Sequence, residues 1–141
     1  MTGDKETDYT YKTGQEVDTY AVVFQSAAMA DRDWRRSSDR EAFFRCLRAK
    51  WPSLLAPGSK IVSLVQLALP RFGTHSFAFR LVFENKGSQI AVDSVSIVRG
   101  RIEAEVDQIV EDPTPRAPDG ARGVVHSRRY HAIVSVGCPY D

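Results

Sequence analysis

Arg99-Gly100-Arg101 sets two guanidinium groups about one glycine. Arginines on a tight turn could grip phosphate through bidentate contacts. Three acids follow at every second position, Glu103, Glu105 and Asp107, and acids so placed repel a polyanion. No glycine-rich cradle or aromatic platform accompanies the arginines. The stretch reads as a hairpin tip whose arginines are solvated or pair with those acids. His75, His126 and His131 could act as bases or metal ligands, yet none falls in an HxH or HExxH spacing. Ser63, Ser94, Ser96 and Ser135 lie inside strand patterns without a GxSxG elbow. A triad of Asp93, His75 and a serine can be written on paper, but geometry, not inventory, defines a triad. Cys46 has no flanking nucleophile signature. The residues predict no catalytic group, no metal site and no cofactor.

Asp93 stands out for another reason. Aspartate is depleted inside strands, and a buried one must be hydrogen-bonded or paired. Arg80, on the neighbouring strand, is its natural partner. Cys46 and Cys138 belong to no CxxC, which removes zinc-ribbon and thioredoxin readings. One long-range disulfide and two buried thiols both fit the count.

Composition narrows the class of function. The 141 residues carry 19 basic and 18 acidic side chains, for a formal charge of +1. That balance gives no footprint for nucleic acid, whose binders carry a basic excess. Hydrophobic content of 43% is that of a globular domain with a core. No apolar run approaches the ~20 residues that span a bilayer. The opening MTGDKETDYTYKTGQE has no apolar stretch of a signal peptide. A cytoplasmic protein and an exported chain without its leader remain open.

These residues must be positioned by a small set of elements. Residues 1–16 read as a flexible polar lead, and 17–141 as one domain. VDTYAVVFQS (17–26) is apolar on both sides of its alternation, as an inner strand is. Residues 27–36 read as a loop with a helical turn. Ser38-Asp39-Arg40-Glu41 has the form of a capping box, and Phe43, Phe44, Leu47 and Trp51 then share one helical stripe. Pro52 disfavours helical geometry at Trp51, so the helix is expected over 38–50. From Lys60 the period changes to two. Strands follow at 60–69, 74–84, 89–98 and 101–110, joined by short glycine-bearing connectors as antiparallel hairpins require. Ile61, Val65, Leu67 and Leu69 share one face of the first of these. His75, Phe77, Phe79, Leu81 and Phe83 share a face of the next. In the last, Ile102, Ala104 and Val106 are expected to pack, with Glu103, Glu105 and Asp107 in water. Residues 111–123, rich in proline and glycine, form a loop, and 124–138 read as a returning strand. The fold class is α+β: a curved antiparallel sheet of five or six strands with one main amphipathic helix on one face.

Cys46 in its amphipathic helix, the strand ending Ala68 to Gly73, and Asp93 to Arg101 entering the last hairpin resemble exported actinobacterial domains. Such domains occur as cell-envelope lipoproteins and as extracellular sensors of receptor kinases, and are similar to the PsbP-like architecture. The resemblance covers about residues 20–110. It implies a non-catalytic extracytoplasmic module that binds a small amphipathic ligand or a protein partner, and it favours a Cys46–Cys138 disulfide. A pocket is then expected between helix and sheet, near Trp51, Phe77 and Phe79. Two alternatives stand beside it. One is a cone-shaped protein or enzyme like nuclear transport factor two, with His75 and Asp93 at its mouth. The other is a cytoplasmic adaptor with free thiols and an open sheet edge.

Overall fold

Alternating apolar side chains from Lys60 onward make strands, and short turns make their neighbours antiparallel. The structure, a computed structural model, describes residues 2–11, 15–37, 39–54 and 57–111. In chain order the elements are β1 (Gly3–Thr10), β2 (Glu16–Val23), α1 (Ala27–Ser37), α2 (Arg40–Leu54), β3 (Lys60–Gln66), β4 (His75–Asn85), β5 (Ser88–Arg99) and β6 (Ile102–Glu111). The strands form one curved open sheet in the order β1-β2-β6-β5-β4-β3, every adjacent pair antiparallel. The fold class is therefore α+β, with the expected meander β3 to β6 and β2 as an inner strand. No helix among the described residues is long and apolar enough to cross a membrane.

Both helices lie on the same face. Leu47 of α2 is buried against Leu64, Phe79, Leu81, Phe83, Ile90, Val92 and Ile109, with Phe43 and Phe44 packed alongside. Full burial of each such side chain is worth roughly 1.5–3 kcal/mol. Ala30 of α1 is buried with Phe24 and Val98, flanked by Val22, Met29 and Trp34. Ser26 starts α1, its hydroxyl accepting from the Met29 amide at 3.2 Å.

Several expectations give way. The polar lead is not flexible throughout: Gly3–Thr10 is β1, hydrogen-bonded along β2. An edge strand with both faces polar shows no apolar alternation, so its sequence reads as a tail. Residues 27–36 are not a loop but most of α1. The main helix begins one residue later than the Ser38 cap implies, because Asp39 caps it: its Oδ1 accepts from the Ala42 amide at 3.0 Å. It also runs past Lys50 through Pro52 to Leu54; the bias against helix before proline is a preference, not a prohibition. In β3 the register shifts between Ile61 and Ser63. The shift carries Leu64 into the core and leaves Val65 exposed, reversing the expected face.

The largest correction concerns β6. Ile102 and Val106 are 46% and 40% exposed, whereas Glu105 and Asp107 are 8% and 2% exposed. The cause is register. Directly opposed residues of an antiparallel pair project to the same face, and Val92 opposes Ile109 while Val98 opposes Glu103. Burying Val92, Val98 and Ile109 beneath the helices forces Glu103, Glu105 and Asp107 to the same side. Gly100, at φ 61, shapes the turn between Arg99 and Ile102 that fixes this register. Segments 112–123 and 124–138, expected as loop and strand, lie outside the described residues.

Candidate functional site: an acidic trough beside an aromatic cluster

Strand pairing sorts the helix-side face into rows that cross the sheet. One row reads Phe79, Ser94, Asp107, Asp18, Asp8 from β4 to β1; the next reads Phe77, Ser96, Glu105, Tyr20, Glu6. Adjacent rows are about 6.7 Å apart, two residues along a strand. The rows beyond them are claimed by the helices: Val98 and Val22 pack with α1, and Leu81, Val92 and Ile109 with α2. Between lies a trough that changes from aromatic on β4, through serine on β5, to acid on β6, β2 and β1. Including Asp4, Glu16 and Glu103, eight carboxylates of three adjacent strands share this face.

Burial makes these acids unusual. Asp18 is 0% exposed, and neither of its carboxylate oxygens has a hydrogen-bond partner among the described residues. Its pKa is pushed up to about 7 by burial first, then by Glu16, Asp8, Asp107 and Glu6. Each of these four neighbours is an acid. Glu105 accepts from the Ser94 hydroxyl at 2.9 Å; burial and the adjacent Asp107 nevertheless raise it well above the ordinary glutamate range. Glu103 rises to about 7 through burial and the Asp33 carboxylate on α1. Buried carboxylates without cations hold protons at neutral pH or recruit positive charge.

The residues singled out by sequence fall in different places. Phe77 and Phe79 meet Phe43 and Phe44 of α2, with ring centroids 5.5–6.3 Å apart. Such pairs add roughly 0.5–1.5 kcal/mol each to burial, so these rings fill the helix–sheet seam. Phe77 is only half-buried, and the Arg40 guanidinium sits over its ring, 5.3 Å from the centroid. Trp51 lies in α2, its side chain outside the described residues. Cys46 is half-buried on α2 and is not a free thiol; Cys138 lies outside the described residues, as do His126 and His131.

Arg80 donates twice to Asp93, Nε to Oδ1 and Nη2 to Oδ2, each at 2.6 Å. This pair lies on the open face, away from the helices. His75 is on the helix side. Its Nε2 lies 2.6 Å from Asp31 Oδ1, and its ring stacks on Trp34 at 5.4 Å. The His75 hydrogen bond and the Arg35 guanidinium hold the Asp31 carboxyl below its usual range. The cone-type reading needs His75 and Asp93 together, but the pleat puts them on opposite faces and each has another partner. Among the described residues no group of three or more His, Cys, Asp or Glu is arranged to hold a metal ion.

Sequence reasoning missed Asp18, Glu103, Glu105 and Asp107 as a buried group. A signal existed. Ile109 continues the acidic alternation of β6, so packing Ile109 rather than Ile102 would have turned the acids inward.

No protein-family model matches the chain, and no curated protein matches it. Among solved structures it is similar to PA94 from Pseudomonas aeruginosa, a protein of unknown function, at 9% identity. That likeness covers 78% of this chain and 71% of the other, with a TM-score of 0.42, too slight to inform the chemistry.

Proposed function

We propose that this domain is a non-catalytic binding module of the cell envelope, and that its trough receives a basic protein segment. Asp18 carries the reading. A carboxylate removed from water, without a hydrogen-bond partner among the described residues and surrounded by acids, is costly unless positive charge arrives. Arginine suits the role, because its planar fork meets a carboxylate bidentately and stacks on aromatic faces. The acidic rows run into Phe77 and Phe79, so a bound segment would set a cation on Asp18, Glu105 or Asp107 and an apolar group at the aromatic end. The extracytoplasmic placement rests on the resemblance to exported domains and on Cys46 not being a free thiol.

Calorimetric titration with a short arginine-rich peptide, against a glutamine-substituted counterpart, tests this. The arginine peptide should bind, weaken with added salt, and weaken at least tenfold on Asp18→Asn. Equal affinity for both peptides, or none for either, would overturn the reading. Preference for a small amphipathic amine would instead favour a ligand-binding role.

A further inference from the structure

We propose that the open face of the sheet, opposite the helices, is where two copies of this chain pair, sheet against sheet. The acidic trough lies on the other face, so the pairing stands apart from the function read there.

An antiparallel sheet with one wet side turns polar residues to the water and apolar ones to the core. β6 does the opposite. It sends Glu105 and Asp107 to the helix side and holds out Ile102 and Val106, 46% and 40% exposed. Strand register carries this apolar surface across the sheet. Val106 lies in one row with Val95 and Thr19, and Ala104 in the next with Ile97 and Ala21. Toward β3 the same face shows Val65, 48% exposed, opposite Arg80. Both helices pack on the other side. A contiguous exposed apolar patch of this kind marks an interaction surface.

Charge and size choose the occupant. Among the described residues, the middle of the face carries Arg80 and Asp93, already joined to each other. Lys5, Lys60, Glu84 and Arg99 stand at its margins. Neither an acidic nor a basic partner finds an unmatched charge at the centre, whereas a second copy brings an equally neutral one. The described strands, spaced about 4.8 Å and about eight residues long, make a face of roughly 24 by 26 Å. That is about 600 Å² before side-chain relief is added, and a stable interface takes about 800 Å² of accessible surface per partner. Two such faces therefore suffice for each other. Small side chains at Ala21, Ala104 and Thr19 let the sheets approach to the usual ~10 Å. Each copy offers the same patch, so the assembly closes at two.

Sedimentation equilibrium of the full chain over a concentration series tests the pairing. The mass should rise from 15.8 kDa toward twice that value and stop there. Val106→Lys should raise the dissociation constant of the pair at least a hundredfold, with the far-ultraviolet dichroism unchanged. Added salt should not weaken pairing of the unmodified chain, because the contact is apolar. Val62→Lys, on the exposed β3 edge, should leave the pairing unaltered. A mass of 15.8 kDa at every concentration up to millimolar would overturn the proposal. So would pairing that survives Val106→Lys, or pairing that Val62→Lys abolishes, since the second result assigns the contact to strand edges. Should Val106→Lys lose its dichroism, Ile102→Lys takes its place, with the same loss of pairing expected.

Discussion

Arg80 and Asp93 show how a polar pair inside two strands can be found by counting residues outward from a turn. Both lie five places from the turn ends Asn85 and Ser88, which oppose each other, so a tight turn there brings 80 opposite 93. The resulting bidentate pair is half open to water: the Arg80 side chain is 49% exposed. Exposed pairs contribute up to about 1 kcal/mol. Arg80→Met should accordingly lower unfolding stability in urea by no more than about 1 kcal/mol. A loss several times larger would mean that the pair supports more than its own strands. His75 was not legible in the same way. Its partner Asp31 comes from a helix 44 residues earlier, and no local count links the two.

At the scale of elements, legibility followed the strength of periodicity. β4 and β5 have unambiguous alternation, and α2 has a clean stripe from Phe43 to Leu47. In α1 the run DRDWRRS crowds charge around Trp34, and only its contacts with Phe24, Val22 and Val98 reveal a buried side. β6 was legible as a strand but not in its facing, since apolar and acidic residues alternate and either set fits one side. The chosen facing brings Asp33 of α1 near Glu103 of β6, with a consequence for pH. Glu103 moves from an ordinary value of 4.5 up to about 7 in the folded protein, so the folded state holds its proton more tightly than the unfolded chain. The associated stability is fully present below about 4.5 and is lost as pH rises through about 7. The melting temperature should therefore fall between about pH 5 and pH 8, and Glu103→Gln should flatten that part of the profile. Identical profiles for the two proteins would show that Glu103 is not protonated on folding.

For the whole molecule, sheet order decides what the outside world meets. Among the described residues, β1 and β3 are the outermost strands. β1 is studded with Asp4, Lys5, Glu6 and Asp8, and charge on an edge discourages further pairing. β3 lacks that protection: Val62 and Val65 are 52% and 48% exposed. What β3 has is the displaced residue between Ile61 and Ser63, which bends the edge and breaks the even spacing of its outward amides. A second chain reading that edge finds no straight template, and such an irregularity disfavours edge-to-edge pairing. Deleting Val62 would leave Ile61 opposite Phe83 and Ser63 opposite Val82, the pairs already present, while straightening the apolar rim. Such a chain should fold and then scatter light increasingly with concentration as copies add edge to edge. A deletion variant that stays monodisperse at high concentration would show that the bulge is not what guards this edge. The same kink that turned Leu64 into the core would then matter only to the inside of the molecule, not to its colloidal fate.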